Sequence, residues 1–533
     1  MLVVLCVSLF LVALDATVLH LAVPEVSEDL RPSGVQLLWM VDVYPLVCAS
    51  LLILFGVLGD RVGRRRVLLL GYVIFGCASA LAAFARTPEA LIGARALLGV
   101  GGSMIMPATL SILRQVFPDR RERALAVGVW SAVAAVGAAA GPLMCGLLLQ
   151  HFWWGSVFLV NVPLMVLSIP VGRAVLPESR GGCRGPWDWP GAVLAAAGLF
   201  ALTFALKRFG AETTALDPLA LATLVTGAVL LTLFVLRQRR APSPLVDLGV
   251  LARPGFGLAL GCITLAMLAL VGLMLIAAQY LQLILDLTPL QTGLRLLPLA
   301  FAAVSAGLLG PRMLAAWGPR RMVAVGFVLT ATGVLSLSAL GQQDDPRLMI
   351  AGFVLLGYGL ETTLFGSYES MLSEAPVRQA GAAAAMGETS YQLGAGMGIA
   401  LLGTVMNAQY AAGVAHADGV SDATRSSATH SLGEALQRAD QLGGTSGELL
   451  RSAARGAFVD GMHTTLLVSA ALLVLGALAA LRLPRTVERP GTPVVLPGQE
   501  RRAPAAVTAG ARSGEGAESP GDRVRLSRTV GRP

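Results

Sequence analysis

Apolar residues run along this chain in long blocks separated by short polar clusters. The blocks have about the length that crosses a bilayer, roughly 20 residues. They do not alternate polar with apolar as barrel strands do. Lipid offers no partner to an unpaired backbone group, so such blocks read as helices. The pattern predicts fourteen spans, at 3–24, 36–58, 67–86, 88–114, 123–149, 156–175, 188–207, 217–236, 256–282, 291–309, 322–341, 347–372, 381–407 and 462–482. Residues 408–461 interrupt the last two. Ser431 with Glu434 and Thr445 with Glu448 have capping-box spacing there, so two short amphipathic helices are expected. Residues 483–533, rich in Arg, Pro and Gly with little to bury, are expected to form a disordered tail.

Composition agrees with this pattern. At 55% hydrophobic and 14% charged, the chain has too little charge to cover a soluble protein of its size. Arginine carries the basic balance, and its placement orients the spans. Arg61, Arg64, Arg65 and Arg66 follow the second span, and Arg114, Arg120, Arg121 and Arg123 the fourth. Arg173, Arg180 and Arg184 follow the sixth, Arg237, Arg239 and Arg240 the eighth, Arg312, Arg320 and Arg321 the tenth, and Arg378 the twelfth. All of these fall on one side. The opposite gaps hold Glu28, Asp29, Asp286, Asp344 and Asp345, with few basic residues such as Arg31, Lys207 and Arg208. The positive-inside rule then makes both termini cytoplasmic. No folded basic domain is left over to bind nucleic acid. The first block is long, carries Asp15 and lacks a basic leader, so it reads as a span and not as a cleaved signal. Cys6, Cys48, Cys77, Cys145 and Cys262 lie in apolar spans and read as small core residues, with Cys183 in an inside loop. Neither the cysteines nor the scattered histidines have metal-ligand spacing, and no cofactor site is expected.

A faint internal repeat connects the two halves of the chain. Gly56 is followed by Gly63, Arg64 and Arg65; Gly310 is followed by Gly318, Arg320 and Arg321. Both sets follow the second span of a six-span block, as in a transporter built by duplication. The expected organisation is a six-helix bundle at 1–180, two inserted helices at 181–252, a second six-helix bundle at 253–482 with its outer loop at 408–461, and the tail.

The stretch Gly56-Val-Leu-Gly-Asp60-Arg61-Val-Gly63-Arg64-Arg65 resembles the loop signature of the major facilitator superfamily. Three further stretches resemble motifs of its fourteen-helix drug:proton antiporters: Leu14-Asp15-Ala-Thr17 through Pro24; Arg95 with Gly99 and Gly102; and Gly137, Gly141, Pro142 and Gly146. The chain departs from those motifs at His20, Leu98 and Cys145. The resemblance implies an all-α membrane fold and export of hydrophobic, often cationic, drugs or antibiotics in exchange for protons by alternating access. It also implies a bacterial inner-membrane location.

Each motif has a physical reading. A carboxylate at Asp60 can cap a neighbouring helix and pair with arginine in one conformation only, which makes a latch. Glycines four apart with Pro142 make a flat, bent helix face suited to gating. Asp15 and Arg95 are charges inside apolar spans, each costing roughly 2.5–3.5 kcal/mol at mid-membrane, so each needs a partner or a water cavity. A switch between pairing and desolvation is what proton coupling requires. Asp42, Glu361, Glu369 and Glu388 also occupy spans. Tyr358, Glu361 and Phe365 share one helix face, and an acid flanked by rings suits a lipophilic cation. Asp42 and Glu388 resemble acids of quaternary-ammonium exporters, although here Gly387 precedes Glu388 and Gln392 stands where another acid is usual. Glu369 reads as an interfacial residue. Substrate contact is expected at Asp42, Tyr358, Glu361, Phe365 and Glu388. Partners are small hydrophobic or cationic molecules, protons and lipid, with the chain acting as a monomer. Export of a neutral endogenous metabolite or lipid-like compound and a non-transporting membrane sensor remain alternatives. An enzyme would need a convergent nucleophile or metal set, and the sequence offers neither.

Overall fold

In a computed structural model, the protein is described over residues 1–180, 187–211, 217–241, 243–415, 428–429 and 431–484, apart from the side chains of a few helical residues that include His20 and Pro142. The expected tail from 485 onward and Cys183 lie outside the described residues.

Helices occupy the predicted blocks. They are α1 (Leu2–Leu30), α2 (Gly34–Val62), α3 (Arg64–Ala83), α4 (Pro88–Val116), α5 (Arg120–Leu149), the short α6 (Ser156–Leu159), α7 (Asn161–Val175), α8 (Trp189–Ala211) and α9 (Pro218–Arg240). After the single turn α10 (Leu248–Leu251) come α11 (Pro254–Gln279), α12 (Pro289–Leu337), α13 (Pro346–Glu374), α14 (Ala380–Ala415), α15 (Leu432–Leu442) and α16 (Gly444–Ala480). Among the described residues, 11 helices are long and apolar enough to cross a membrane. With 29 residues, α2 is about 43 Å long, well beyond the roughly 30 Å hydrocarbon core, so its ends reach the interfaces.

Local chemistry sets the helix starts. The Ser33 and Thr288 hydroxyls accept from Gln36 and Gln291 amides in complete capping boxes. Thr87, Asp119, Asp217 and Asp345 cap α4, α5, α9 and α13 in the same sense. Asp217 also accepts from the Arg208 guanidinium at the end of α8.

Three expectations need correction. Among the described residues of the segment before the last span, α15 is a separate helix, capped by Ser431 as predicted. Thr445 and Glu448 do not start a second, because Gly443 and Gly444 (φ 59° and 55°) turn the chain straight into α16, which runs unbroken to Ala480. The preceding helix also continues to Ala415, past the expected end near 407. Cys77 is exposed on α3, whereas Cys6, Cys48, Cys145 and Cys262 are buried.

The repeat appears in the backbone. Gly63 separates α2 from α3 at φ 130°, and Gly318 breaks α12 into two legs at φ 72°. L side chains rarely adopt such a conformation, so glycine is required at both turns.

Packing divides the helices into two bundles. In the first, α1 packs on α5, and α4 on α2 and α3, with α7 against α3. In the second, α12 packs on α13, and α14 and α16 on each other and on α11. The bundles meet where α5 contacts α12 and where α2 and α4 contact α14. The hairpin of α8 and α9 sits beside this seam, with α8 against both α2 and α14.

Candidate functional site

The signature loop lies where the bundles meet. Gly56 of α2 faces α14 so closely that an added Cβ would stand 2.5 Å from the Ala385 Cβ and 2.6 Å from the Gly381 carbonyl oxygen. One turn on, Asp60 is buried. Its Oδ1 accepts from Arg64 Nε (2.9 Å) and Nη2 (2.7 Å) and from the Gly381 amide (3.0 Å), and its Oδ2 accepts from the Ala382 amide (2.9 Å). The carboxylate therefore caps the N-terminus of α14, placing a negative charge on the positive end of a helix of the other bundle. Arg64 also donates to the Val377 carbonyl (3.0 Å). Arg65 turns to the Leu176 carbonyl (3.0 Å), and Arg61 lies 5.1 Å over the Trp187 ring that precedes α8. The expected latch residues are thus together, and two of Asp60's bonds cross between bundles.

Two further links close the same, arginine-rich end. Arg114 of α4 donates to the Ala375 carbonyl beyond α13. Arg123 of α5 pairs with Glu369 of α13 at 3.5 Å. Glu369 is fully buried and tied to the opposite bundle at this end.

Asp15 and Arg95 form a sealed network inside the first bundle. Both are buried, 0% and 1% exposed, and Arg95 Nη1 stands 3.3 Å from Asp15 Oδ2. Asn161 of α7 donates to Asp15 Oδ1 (3.1 Å) and reaches Ser79 (3.3 Å). Arg95 also donates to the Met40 (3.1 Å) and Val41 (3.3 Å) carbonyls and lies 5.0 Å from the Tyr44 ring centroid. An arginine with its charge and several donors engaged can persist in a low-dielectric interior.

The glycines of α5 pack mainly against α1 in the same bundle. A Cβ at Gly137 would lie 2.8 Å from the Phe10 carbonyl oxygen, and one at Gly141 would meet Thr17 and the Leu14 carbonyl. Gly146 has open space beside it, so it is not part of that close face. The side chain of Pro142 lies outside the described residues.

The acids of the second bundle face groups from the first. Glu361 of α13 is buried and accepts from the Ser131 hydroxyl of α5. Phe365 packs beneath Gly310, its ring 3.0 Å from where a Cβ would stand, and Tyr358 turns to Met313 Sδ (3.3 Å). Glu388 of α14 accepts from Tyr368 (3.0 Å), whose ring meets Trp130 of α5 edge-on at 6.1 Å. Tyr391 lies within electrostatic range of both carboxylates. Asp42 stands apart from this group, bonded to Lys207 of α8.

Sequence reasoning missed Asn161, Ser131, Trp130 and Tyr368. Asn161 carried a signal, being an amide inside an apolar span; the other three look like ordinary helix residues until the bundles meet.

Two helical bundles with charges buried inside them and a capping carboxylate reaching across their seam define a membrane transport protein. The chain belongs to the major facilitator superfamily, matching it over residues 5–399. It is 39% identical over 480 residues to the multidrug efflux pump LfrA of Mycolicibacterium smegmatis, covering 90% of this chain and 94% of that one. It is 35% identical over 464 residues to the methyl viologen resistance protein SmvA of Salmonella typhimurium, with coverage of 87% and 93%. The puromycin resistance protein pur8 of Streptomyces alboniger is 34% identical over 417 residues, at 77% and 82% coverage. The proton:xylose symporter XylE superposes with a TM-score of 0.55 at 13% identity, over 88% of this chain and 94% of that one, a likeness of fold alone.

Proposed function

We propose that this protein is a secondary active exporter of hydrophobic, mainly cationic, drugs or antibiotics, exchanging them for protons by alternating access in the bacterial inner membrane. The observation that carries the reading is the pair of buried carboxylates Glu361 and Glu388, set among Trp130, Phe365, Tyr368 and Tyr391 between the bundles. Such acids hold either a cation or a proton, and rings beside them favour an organic cation. Relatives named for multidrug efflux and for methyl viologen and puromycin resistance support the same substrate class.

In this reading the chain crosses the membrane fourteen times, as a bundle at 1–180, an inserted pair at 181–252 and a bundle at 253–482, with both termini cytoplasmic and a cytoplasmic tail. It works as a monomer. The arginine-rich end is then cytoplasmic, and the Asp60 cap, the Arg114 bond and the Arg123–Glu369 pair hold it shut in an outward-facing conformation. Release of these contacts turns the pathway inward. Asp15 and Arg95 serve proton coupling, the buried pair exchanging for a protonated acid when the cavity admits water. The glycine face of α5 lets α1 slide during that change.

Energetics fit this exchange. Expelling one monocation against an inside-negative potential costs about 2.3 kcal/mol per 100 mV. Importing one proton in its place cancels that cost and leaves the pH gradient, about 1.4 kcal/mol per unit, as the drive. Efflux of a cationic dye from reconstituted vesicles, with and without a pH gradient, tests the proposal.

A further inference from the structure

The seam between α2 and the inserted helix α8 carries a feature that the transport reading does not use. Asp42 of α2 holds the ammonium of Lys207 of α8. Neither side chain is sealed: Asp42 keeps 33% and Lys207 21% of its surface exposed. Aromatic rings line the same seam. Trp39, one turn before Asp42, stacks on Phe204 at 5.7 Å and 22°, and Phe204 stacks on Phe200 at 6.5 Å and 8°. Phe200, Phe204 and Lys207 follow the spacing of one helix face, as do Trp39 and Asp42. All five residues are half-buried. A carboxylate at the end of a ladder of flat rings has the composition of a site for a planar aromatic cation, and a tethered cation already occupies it.

We propose that Lys207 is a specificity-determining residue: it serves as the resident counter-ion of Asp42, and a lipophilic cation enters the α2–α8 seam by displacing it and stacking on Trp39 and Phe204. This rests on the export of organic cations proposed above. The exchange conserves charge, one monocation replacing another, so no uncompensated carboxylate is left in a poorly hydrated place. Lysine suits the part because its ammonium rides on a flexible four-carbon stem that can withdraw towards water. The site also adjoins the buried network. Arg95 holds the carbonyls of Met40 and Val41, the two residues before Asp42. On the other side, α8 abuts α14 where a Cβ on Gly396 would stand 3.6 Å from Leu206. A ligand in the seam therefore touches the helix that carries the latch carboxylate and lies beside a helix of the other bundle. The two added helices then act as a cation filter. Neutral compounds, which cannot compete with an ammonium for Asp42, gain nothing there.

Ethidium, a planar aromatic monocation, and Nile red, a neutral dye, serve as probes. Binding to the full-length protein in nanodiscs is read by fluorescence anisotropy, and dye uptake is read in inside-out vesicles of the same variants. Lys207→Met, which keeps the apolar stem and removes the competitor, is expected to bind ethidium about fivefold more tightly, the scale of a partly exposed ion pair. Its affinity for Nile red is expected to stay as in the unaltered protein. Lys207→Arg, which keeps a tethered cation, is expected to show no gain. Adding Asp42→Asn to Lys207→Met is expected to erase the gain, and Phe204→Ala to weaken ethidium in either background. If Lys207→Met destabilises the fold, Lys207→Gln provides the same comparison. Unchanged or weaker ethidium binding in folded Lys207→Met or Lys207→Gln, in a protein that exports ethidium, overturns the inference alone. Equal gains for ethidium and Nile red overturn it as well. Absence of gradient-driven ethidium uptake in every variant overturns the export reading and the inference together.

Discussion

Replacing Asp60 with asparagine tests how the two bundles are held at the arginine-rich end. The carboxylate makes two bonds that cross the seam, 3.0 Å to the Gly381 amide and 2.9 Å to the Ala382 amide, and two that hold Arg64 beside them. A hydrogen bond to a charged group contributes about 1.5–3 kcal/mol net. Asparagine keeps one oxygen able to accept, so it loses one crossing bond, the charge on the α14 terminus and the ion pair that orients it. The closed end should lose about 2.7 kcal/mol relative to the open one, which is about 100-fold in their ratio. A closed-to-open population of about 99:1 would fall to about 1:1, half of the 5.5 kcal/mol that full reversal needs. Spin labels at Val62 and Val377, both exposed at 44% and 61%, flank the latch and allow pulsed dipolar distance measurement in nanodiscs. The unaltered protein should give one short distance, and Asp60→Asn a second, longer one of similar weight. An unchanged distribution in a folded, fully labelled Asp60→Asn protein would refute the latch.

Other outcomes follow from the same contacts. Asp15→Asn should abolish substrate-induced proton release from purified protein and pH-driven accumulation, while substrate exchange down its own gradient persists. It should also lower the melting temperature, since removing one partner of a buried pair costs about 3–5 kcal/mol; continued proton release would make Asp15 structural. Charge reversal at Asp15 and Arg95 is a poorer test, because Arg95 also holds the Met40 and Val41 carbonyls, which a carboxylate would repel. Glu361→Gln should weaken efflux of ethidium about tenfold, ~1.4 kcal/mol, and that of Nile red little; equal losses would remove Glu361 from cation recognition. For orientation, a cysteine at exposed Ser431 should react with impermeant maleimide on whole cells, and one at Val377 should not. The reverse pattern would invert the topology.

Much of the fold was legible because lipid leaves few choices. Long apolar blocks must be helices, whereas the caps at Ser33, Thr87 and Thr288 that fix their starts emerge from the structure. The Gly63 and Gly318 turns were legible for a related reason: both need positive φ, so glycine recurs where the repeat does. The start of α16 was not legible, since a capping box at Thr445 competes with a Gly443-Gly444 turn that only tertiary packing selects. Site residues divide along the same line. Buried charges such as Asp15, Arg95 and Glu361 stand out in apolar spans, yet their partners do not. Ser131 meets Glu361, and Asn161 meets Asp15, across more than 100 positions of chain. Lys207 looked like a loop residue from its place at the end of a span, but the packing of α8 on α2 turns it to Asp42.

In the proposed mechanism, cation export and proton movement are one obligatory exchange. Its direct test is the purified protein in proteoliposomes with the arginine-rich end outward, an acid lumen, and the membrane potential clamped at zero by valinomycin with equal potassium. Added ethidium should accumulate in the lumen, the lumen should turn more alkaline as it does so, and nigericin should abolish both. Ethidium accumulation that survives collapse of the pH gradient, or that moves no protons, would contradict the account.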